Sequence, residues 1–393
     1  MVLDYNQQVF FALVRAGLWE NTPVHDSWFL DEPSGKAERT IHDSEKVDWE
    51  EVYQLAEEQS VIGVVLAGIE HSNAKPTQEL LLQWIGEVQM LEQRNKAMNQ
   101  FINRMFDELN KKDINAVLIK GQGVAQCYER PLWRCSGDVD LLLNEENYEK
   151  GKLFIDSVSE DESKEYDFNK EFNTTIEGWC VELHGSLRCG LSAALNRGVD
   201  AIQYDICDNH HVRFWENDGM KIPLPEENDD VLVIFTHFIK HFYKGELGIR
   251  QICDWCRLLW AFKDTLDYGL LEARLKKMGL RAQWKGFGAF AVDYLGMPKE
   301  AMPLYFPDTK WSMKADKICS FVLEVGNFGH NIDASYYSKY PLLIRKAISM
   351  WKRIKSLLRH ASIFPWHTFR FMPHVIYTGL KATIENGTGF RQK

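Results

Sequence analysis

In the run Arg134-Cys135-Ser136-Gly137-Asp138-Val139-Asp140-Leu141-Leu142-Leu143, two carboxylates occupy alternate positions at the mouth of an apolar stretch. On a strand, residues two apart point to one face with Cα atoms about 6.7 Å apart, so Asp138 and Asp140 can converge on one divalent cation. Side by side and away from water they repel each other, and a hard, oxygen-seeking ion such as Mg²⁺ is the usual resolution. A third carboxylate stands in Trp179-Cys180-Val181-Glu182-Leu183-His184, where Glu182 and His184 share one face and Val181 and Leu183 the other. If the two runs neighbour each other in a sheet, Asp138, Asp140 and Glu182 could hold two Mg²⁺ ions roughly 3.5–4 Å apart, the arrangement that clamps attacking and leaving oxygens in phosphoryl transfer.

Upstream, Ala116-Val117-Leu118-Ile119 is a short apolar run that ends in Lys120-Gly121-Gln122-Gly123 and passes into helix-compatible residues. A strand, a tight turn and a helix start would bring backbone N–H groups close to a phosphate, with Lys120 as a point charge. The turn lacks the spacing of a Walker loop, and taken alone it is an ordinary glycine turn. Gly-Asp-x-Asp alone is likewise a common way into a strand, Glu182 alone a solvated strand residue, and His184 a satisfied core histidine. The order Lys-Gly, Asp-x-Asp, Glu along one stretch of chain is what carries weight.

Together these residues resemble the nucleotidyltransferase superfamily that includes DNA polymerase β. They are closest to its family of uncharacterised bacterial nucleotidyltransferases with a Lys-Gly turn. That pattern has a strand ending in Lys-Gly, an Arg before Gly-Asp-x-Asp-Leu-Leu, and a later Glu-Leu-His. Here these are Lys120-Gly121, Arg134 with Gly137 to Leu142, and Glu182-Leu183-His184. The resemblance extends over about residues 40 to 290 and into a helical part containing His237, His241, Arg250 and Asp254. Where the wider superfamily has Gly-Ser at its phosphate-binding turn, this chain has Lys120-Gly121.

The resemblance implies an α+β fold, a polymerase β-like mixed sheet flanked by N-terminal and C-terminal helical regions. It also implies Mg²⁺-dependent transfer of a nucleoside monophosphate from an NTP to a hydroxyl acceptor, with Mn²⁺ as an alternative ion. Asp138, Asp140 and Glu182 would be the catalytic and metal-binding residues. Lys120, Gly121, Gln122, Gly123 and Arg134 would bind the nucleotide, with Arg134 either pairing with phosphate or fixing the aspartate loop. His184, His237, His241, Arg250 and Asp254 would shape the substrate cleft. Asp140→Ala is expected to abolish turnover and leave the fold intact. The alternative is a catalytically silent member that binds a nucleotide or a partner, favoured by the Lys-Gly turn and opposed by the three carboxylates. No motif identifies the acceptor or the base.

The elements that must position these groups can be read coarsely. Amphipathic spacing predicts helices over residues 5 to 18 and 48 to 70, and one long helix or two abutting ones from Thr77 to about Lys111. The mixed region should hold strands at 116 to 120, 138 to 143, 165 to 175, 178 to 187, 211 to 216 and 219 to 223, with a helix near 145 to 157. Helices then follow to about Tyr243 and at 249 to 263. This divides the chain into an N-terminal helical region (1–112), an α/β core (113–225), a helical region closing the cleft (226–337) and a basic, aromatic C-terminal segment (338–393).

The remaining composition narrows the partners. A chain of 393 residues exceeds one typical domain and has ample apolar content for a core. Its eight cysteines are scattered, which suits a reducing compartment, and no apolar run reaches membrane-spanning length. A soluble, cytoplasmic protein is therefore expected. Residues 338 to 393 carry eleven Lys or Arg and one acidic residue, leaving a net charge of −20 over residues 1 to 337. That tail could pack on the acidic body, lie on anionic lipid, contact nucleic acid or meet another acidic partner; the acidic bulk argues against broad nonspecific nucleic-acid binding. His237-x-x-x-His241 with Cys253-x-x-Cys256 has zinc-like spacing, but core packing across a helix hairpin accounts for it.

Overall fold

The computed structural model describes residues 3–20, 47–72, 74–160, 164–166, 170–327 and 358–373. Three helices come first: α1 (Tyr5–Leu18), α2 (Trp49–Glu58) and α3 (Ile62–Glu70). The single helix expected over 48 to 70 breaks at 59–61, where Ser60 takes a φ of 54°. Asp48 caps α2 by accepting from the N–H groups of Glu50 and Glu51, satisfying donors that have no partner inside the helix. α1 and α3 meet backbone to backbone at glycines, since a Cβ on Gly17 would lie 1.8 Å from Val64 O. Helix α4 (Gln78–Lys111) is continuous for 34 residues and starts on a Thr77 cap.

The α+β expectation holds. β1 (Val117–Ile119), β2 (Asp138–Leu142), β3 (Lys164–Tyr166), β4 (Glu171–Ile176) and β5 (Trp179–His184) form a mixed sheet in the order β1-β2-β5-β4-β3. β2 and β5 are parallel and every other pair is antiparallel. The strand run expected over 165 to 175 is two strands of a hairpin, β3 and β4. α5 (Gly121–Ala125) lies between β1 and β2 and α6 (Glu145–Ser157) between β2 and β3, and after β5 come α7 (Ala193–Cys207) and a separate hairpin, β6 (Val212–Asn217) with β7 (Met220–Pro225). Five helices follow: α8 (Glu227–Lys244), α9 (Ile249–Ala261), α10 (Tyr268–Met278), α11 (Arg281–Asp293) and α12 (Thr309–Val325).

Period-two alternation divides the central strands as expected. Val139, Leu141, Val181 and Leu183 join Met98, Phe101, Ile102 and Met105 of α4 in one apolar core. The opposite face carries the carboxylates. A second core runs from α1 and α3 through α8, α9 and α11 to α12, so the first helices and the last share one interior. Trp19 at the end of α1 donates its indole N–H to Leu295 O, 2.6 Å away. Among the described residues no helix is long and apolar enough to cross a membrane. Apart from residues 358–373, the basic C-terminal segment lies outside the described residues.

Candidate functional site

The parallel pairing of β2 and β5 sets Asp140 directly opposite Glu182 and Asp138 opposite Cys180. Three carboxylates from two strands are thereby on one face. On the other side of β2, Ile119 is paired with Asp140, which brings the residue after β1 into reach. Lys120 turns the chain there with φ 58° and ψ −146°, a conformation rarely adopted by residues with a Cβ. Its Nζ lies 2.7 Å from Asp140 Oδ1. His184 Nε2 reaches the same oxygen at 2.7 Å and stands 3.5 Å from Glu182 Oε2. Asn173 of β4 donates to Glu182 Oε1 at 3.2 Å.

The charges are unevenly resolved. Repulsion from Asp140, burial and the Glu182 charge together raise Asp138 to about 6. Burial would raise Asp140 as well, yet Lys120 and the His184 hydrogen bond hold it far below the usual carboxylate range. Lys120 is held above its ordinary value by Asp140 and Glu182 against the opposing effect of burial. His184 is raised too, its hydrogen bonds to Asp140 and Glu182 outweighing burial and the Lys120 charge. Asp140 is thus the counter-charge of the Lys120 ammonium and the hydrogen-bond partner of His184, so its replacement bears on the fold as well as on the site. Asp140→Ala should cost on the order of 3 kcal/mol of stability in addition to any activity, as urea unfolding would measure.

Across the cleft, α8 presents His237, Lys240, His241 and Lys244, spaced so that they share one helix face. Burial and the Lys120 charge push His237 well down, so its ring is neutral. Lys240 Nζ lies 3.7 Å from Glu171 Oε2 of β4. Helix α9 adds Arg250, Gln251 and Asp254. Arg250 donates to Cys135 O at 2.8 Å, tying α9 to the segment that leads into β2.

Lys120, Gly121, Arg134, Asp138, Asp140, Glu182, His184, His237, His241, Arg250 and Asp254 therefore line one cleft. Two residues assigned to the nucleotide stand behind it. Gln122 is buried and donates to Asn95 Oδ1 at 2.8 Å, and Gly123 packs against the Leu224 side chain. The helix that the Lys-Gly turn opens is only five residues long. Arg134 makes a two-pronged ion pair with Asp254, Nε to Oδ1 and Nη2 to Oδ2, each 2.7 Å, and Tyr128 donates to the same carboxylate at 2.8 Å.

Among the described residues, two groups of side chains are close enough to share a cation: Asp140 with Glu182 and His184, and His211 with Glu226 and Asp229. In the second, Asp229 is already met by Arg274 at 2.5 Å. Cys253 and Cys256 belong to neither. Both are fully buried, and burial pushes their thiols up, away from the thiolate that zinc needs.

A family model described as an uncharacterised nucleotidyltransferase matches residues 45–296. The chain belongs to that family. The matched range contains every residue of the cleft and all of the five-stranded sheet. No curated protein and no solved structure matches the chain. Membership in a nucleotidyltransferase family implies a nucleotide substrate and transferase chemistry, and the acidic group around Asp140 is of a kind that could hold a metal ion.

Sequence reasoning missed Lys240, Lys244, Glu171 and Gln251. The lysines had a signal, because His237-x-x-Lys240-His241-x-x-Lys244 places all four on the face already assigned to the cleft. Glu171 had none, since it reaches the site only through the pairing of β4 with β5.

Proposed function

We propose that the protein transfers a nucleoside monophosphate from an NTP to a hydroxyl acceptor, releasing pyrophosphate, with Mg²⁺ as cofactor and Mn²⁺ as a substitute. The observation that carries this reading is the β2–β5 register, which sets Glu182 opposite Asp140 and beside Asp138. The donor set fits a hard dication: the ligand atoms of Asp140, Glu182 and His184 lie within 4.8 Å of one another, and the raised Asp138 marks an excess of negative charge that a cation would relieve. Asp140 and Glu182 would hold it, with His184 the third group in reach and Asp138 lining the same cleft, and when bound it would neutralise charge on the transferring phosphate.

The remaining work falls to the chain. Asp140 is almost wholly buried whereas Glu182 is 21% exposed, so the acceptor approaches on the Glu182 side, where that carboxylate can take the hydroxyl proton. Lys240 and Lys244 of α8 face the carboxylates and are placed to take the leaving phosphates, together with the Gly121 N–H. Asn173 and His184 fix the orientation of Glu182. Catalysis of this kind is positioning and charge neutralisation.

A second reading, nucleotide or partner binding without turnover, is favoured by the Lys120 ammonium seated on Asp140. Calorimetric titration with each of the four NTPs, with and without Mg²⁺, followed by an assay for pyrophosphate release, separates the two. The transferase reading expects Mg²⁺-dependent binding of at least one NTP and release once an acceptor is supplied. Binding indifferent to Mg²⁺ and without release would support the silent reading, and no NTP binding at all would defeat the transferase reading and leave partner binding.

A further inference from the structure

Helix α9 opens with Ile249-Arg250-Gln251-Ile252-Cys253, in which Ile252 and Cys253 point into the core. Gln251 lies on the cleft side, yet it is only 4% exposed. Both ends of its carboxamide, Nε2 and Oε1, are buried without a hydrogen-bond partner among the described residues. Holding two buried polar atoms unpaired is unfavourable, and a group entering from the cleft would complete them.

The chemistry of that ligand follows from the need to satisfy both atoms. Phosphate oxygens only accept and would leave Oε1 unserved. A metal ion would serve Oε1 and leave Nε2. A neutral group that offers a donor beside an acceptor serves both, and the edge of a nucleobase is such a group. The partly exposed ring of His237 lines the same cleft, giving one aromatic face for a flat ring, with Ile234 and Phe238 buried behind it. Lys240 and Lys244 supply the charge that phosphates need, so a carboxamide is not required for them. We infer that Gln251 reads the base of the bound nucleotide, with Nε2 donating to a ring nitrogen or carbonyl and Oε1 accepting from an amino or imino N–H. This rests on the nucleotide-transfer reading above and specifies which residue discriminates among donors.

The test compares wild type with Gln251→Leu, which keeps the shape and removes both polar atoms, and Gln251→Glu, which keeps acceptors and removes the donor. Dissociation constants are measured for the four NTPs and for inorganic tripolyphosphate, all with Mg²⁺, alongside the melting temperature of the ligand-free proteins. Gln251→Leu should weaken the preferred NTP by about ten- to a hundredfold, narrow the differences among the four, leave tripolyphosphate unchanged and raise the melting temperature. Gln251→Glu should change the order of preference. If wild type binds an NTP and Gln251→Leu binds all four unchanged, or weakens all four and tripolyphosphate equally, the assignment of Gln251 is overturned while nucleotide binding stands. If wild type binds tripolyphosphate but discriminates no NTP from it, base reading is likewise overturned. If wild type binds neither, the transferase reading falls and the inference falls with it.

Discussion

Asp138→Asn is expected to lower turnover by about a thousandfold or more and, at the same time, to make the ligand-free protein more stable. The two effects have one cause. Asp138 is raised to about 6 because Asp140 and Glu182 stand beside it in a partly desolvated site. An unfolded chain would hold this carboxyl near its ordinary value of about 3.9. The folded protein therefore binds the proton more tightly, so the group's stabilising contribution is present below about pH 4 and is lost as pH rises through 6. At neutral pH the ionised carboxylate is a net cost. Removing its charge should recover about 1–2 kcal/mol, or about 2–4 °C in melting temperature, and should flatten the pH dependence of stability between pH 4 and 6. Differential scanning calorimetry from pH 4.5 to 7.5 would show it. A melting temperature that falls on substitution, or turnover that survives, would remove Asp138 from the site. Asn also makes the cleaner test of the carboxylates, because Asp138 is not the counter-charge on which Lys120 and His184 depend.

The second large effect concerns Arg134, whose sequence context allowed either a phosphate ligand or a brace for the aspartate loop. Its guanidinium is 5% exposed and forked onto Asp254, with a further bond from Nη1 to Ser136 Oγ at 2.8 Å. Arg134→Met would leave the Asp254 carboxylate buried with Tyr128 as its remaining partner, at a cost of about 3–5 kcal/mol. Arg134→Lys should fall between, since an ammonium cannot reproduce the planar fork. Replacing the pair together, Arg134→Met with Asp254→Leu, should recover much of the loss, and urea unfolding of wild type, Arg134→Met, Asp254→Leu and the double variant gives the coupling directly. A single variant of unchanged stability and weakened NTP binding would return Arg134 to the nucleotide.

What the sequence made legible was local. Strand periodicity alone put Asp138 with Asp140 and Glu182 with His184 on shared faces, and both pairs lie there. Amphipathic spacing from Thr77 to about Lys111 marked α4 without deciding between one helix and two, and the structure has one. What stayed hidden depended on partners distant in sequence. β2 and β5 are parallel neighbours separated by α6 and the β3–β4 hairpin, and no property of either strand specifies that adjacency. Gln122 looked like part of a phosphate loop because a turn sequence does not say which way it faces; its bond to Asn95 of α4 decides that. Gln251 sits in a helix whose sequence reads as an ordinary amphipathic stripe, and only the enclosure around its carboxamide distinguishes it.

The Lys120 ammonium on Asp140 carries a consequence for how the protein relates to its surroundings. An acidic cleft that folded with its charges bare would depend on ions for its assembly, as small metal-bound domains do. Here a covalently attached cation is already in place, so the sheet can form in metal-poor solution and should remain folded in chelator. Any dication that binds there would have to exchange with that ammonium within the same oxygen set. The lysine would then lower the apparent affinity for the ion, and occupancy would vary with ion supply over a range where a bare carboxylate cluster would stay saturated.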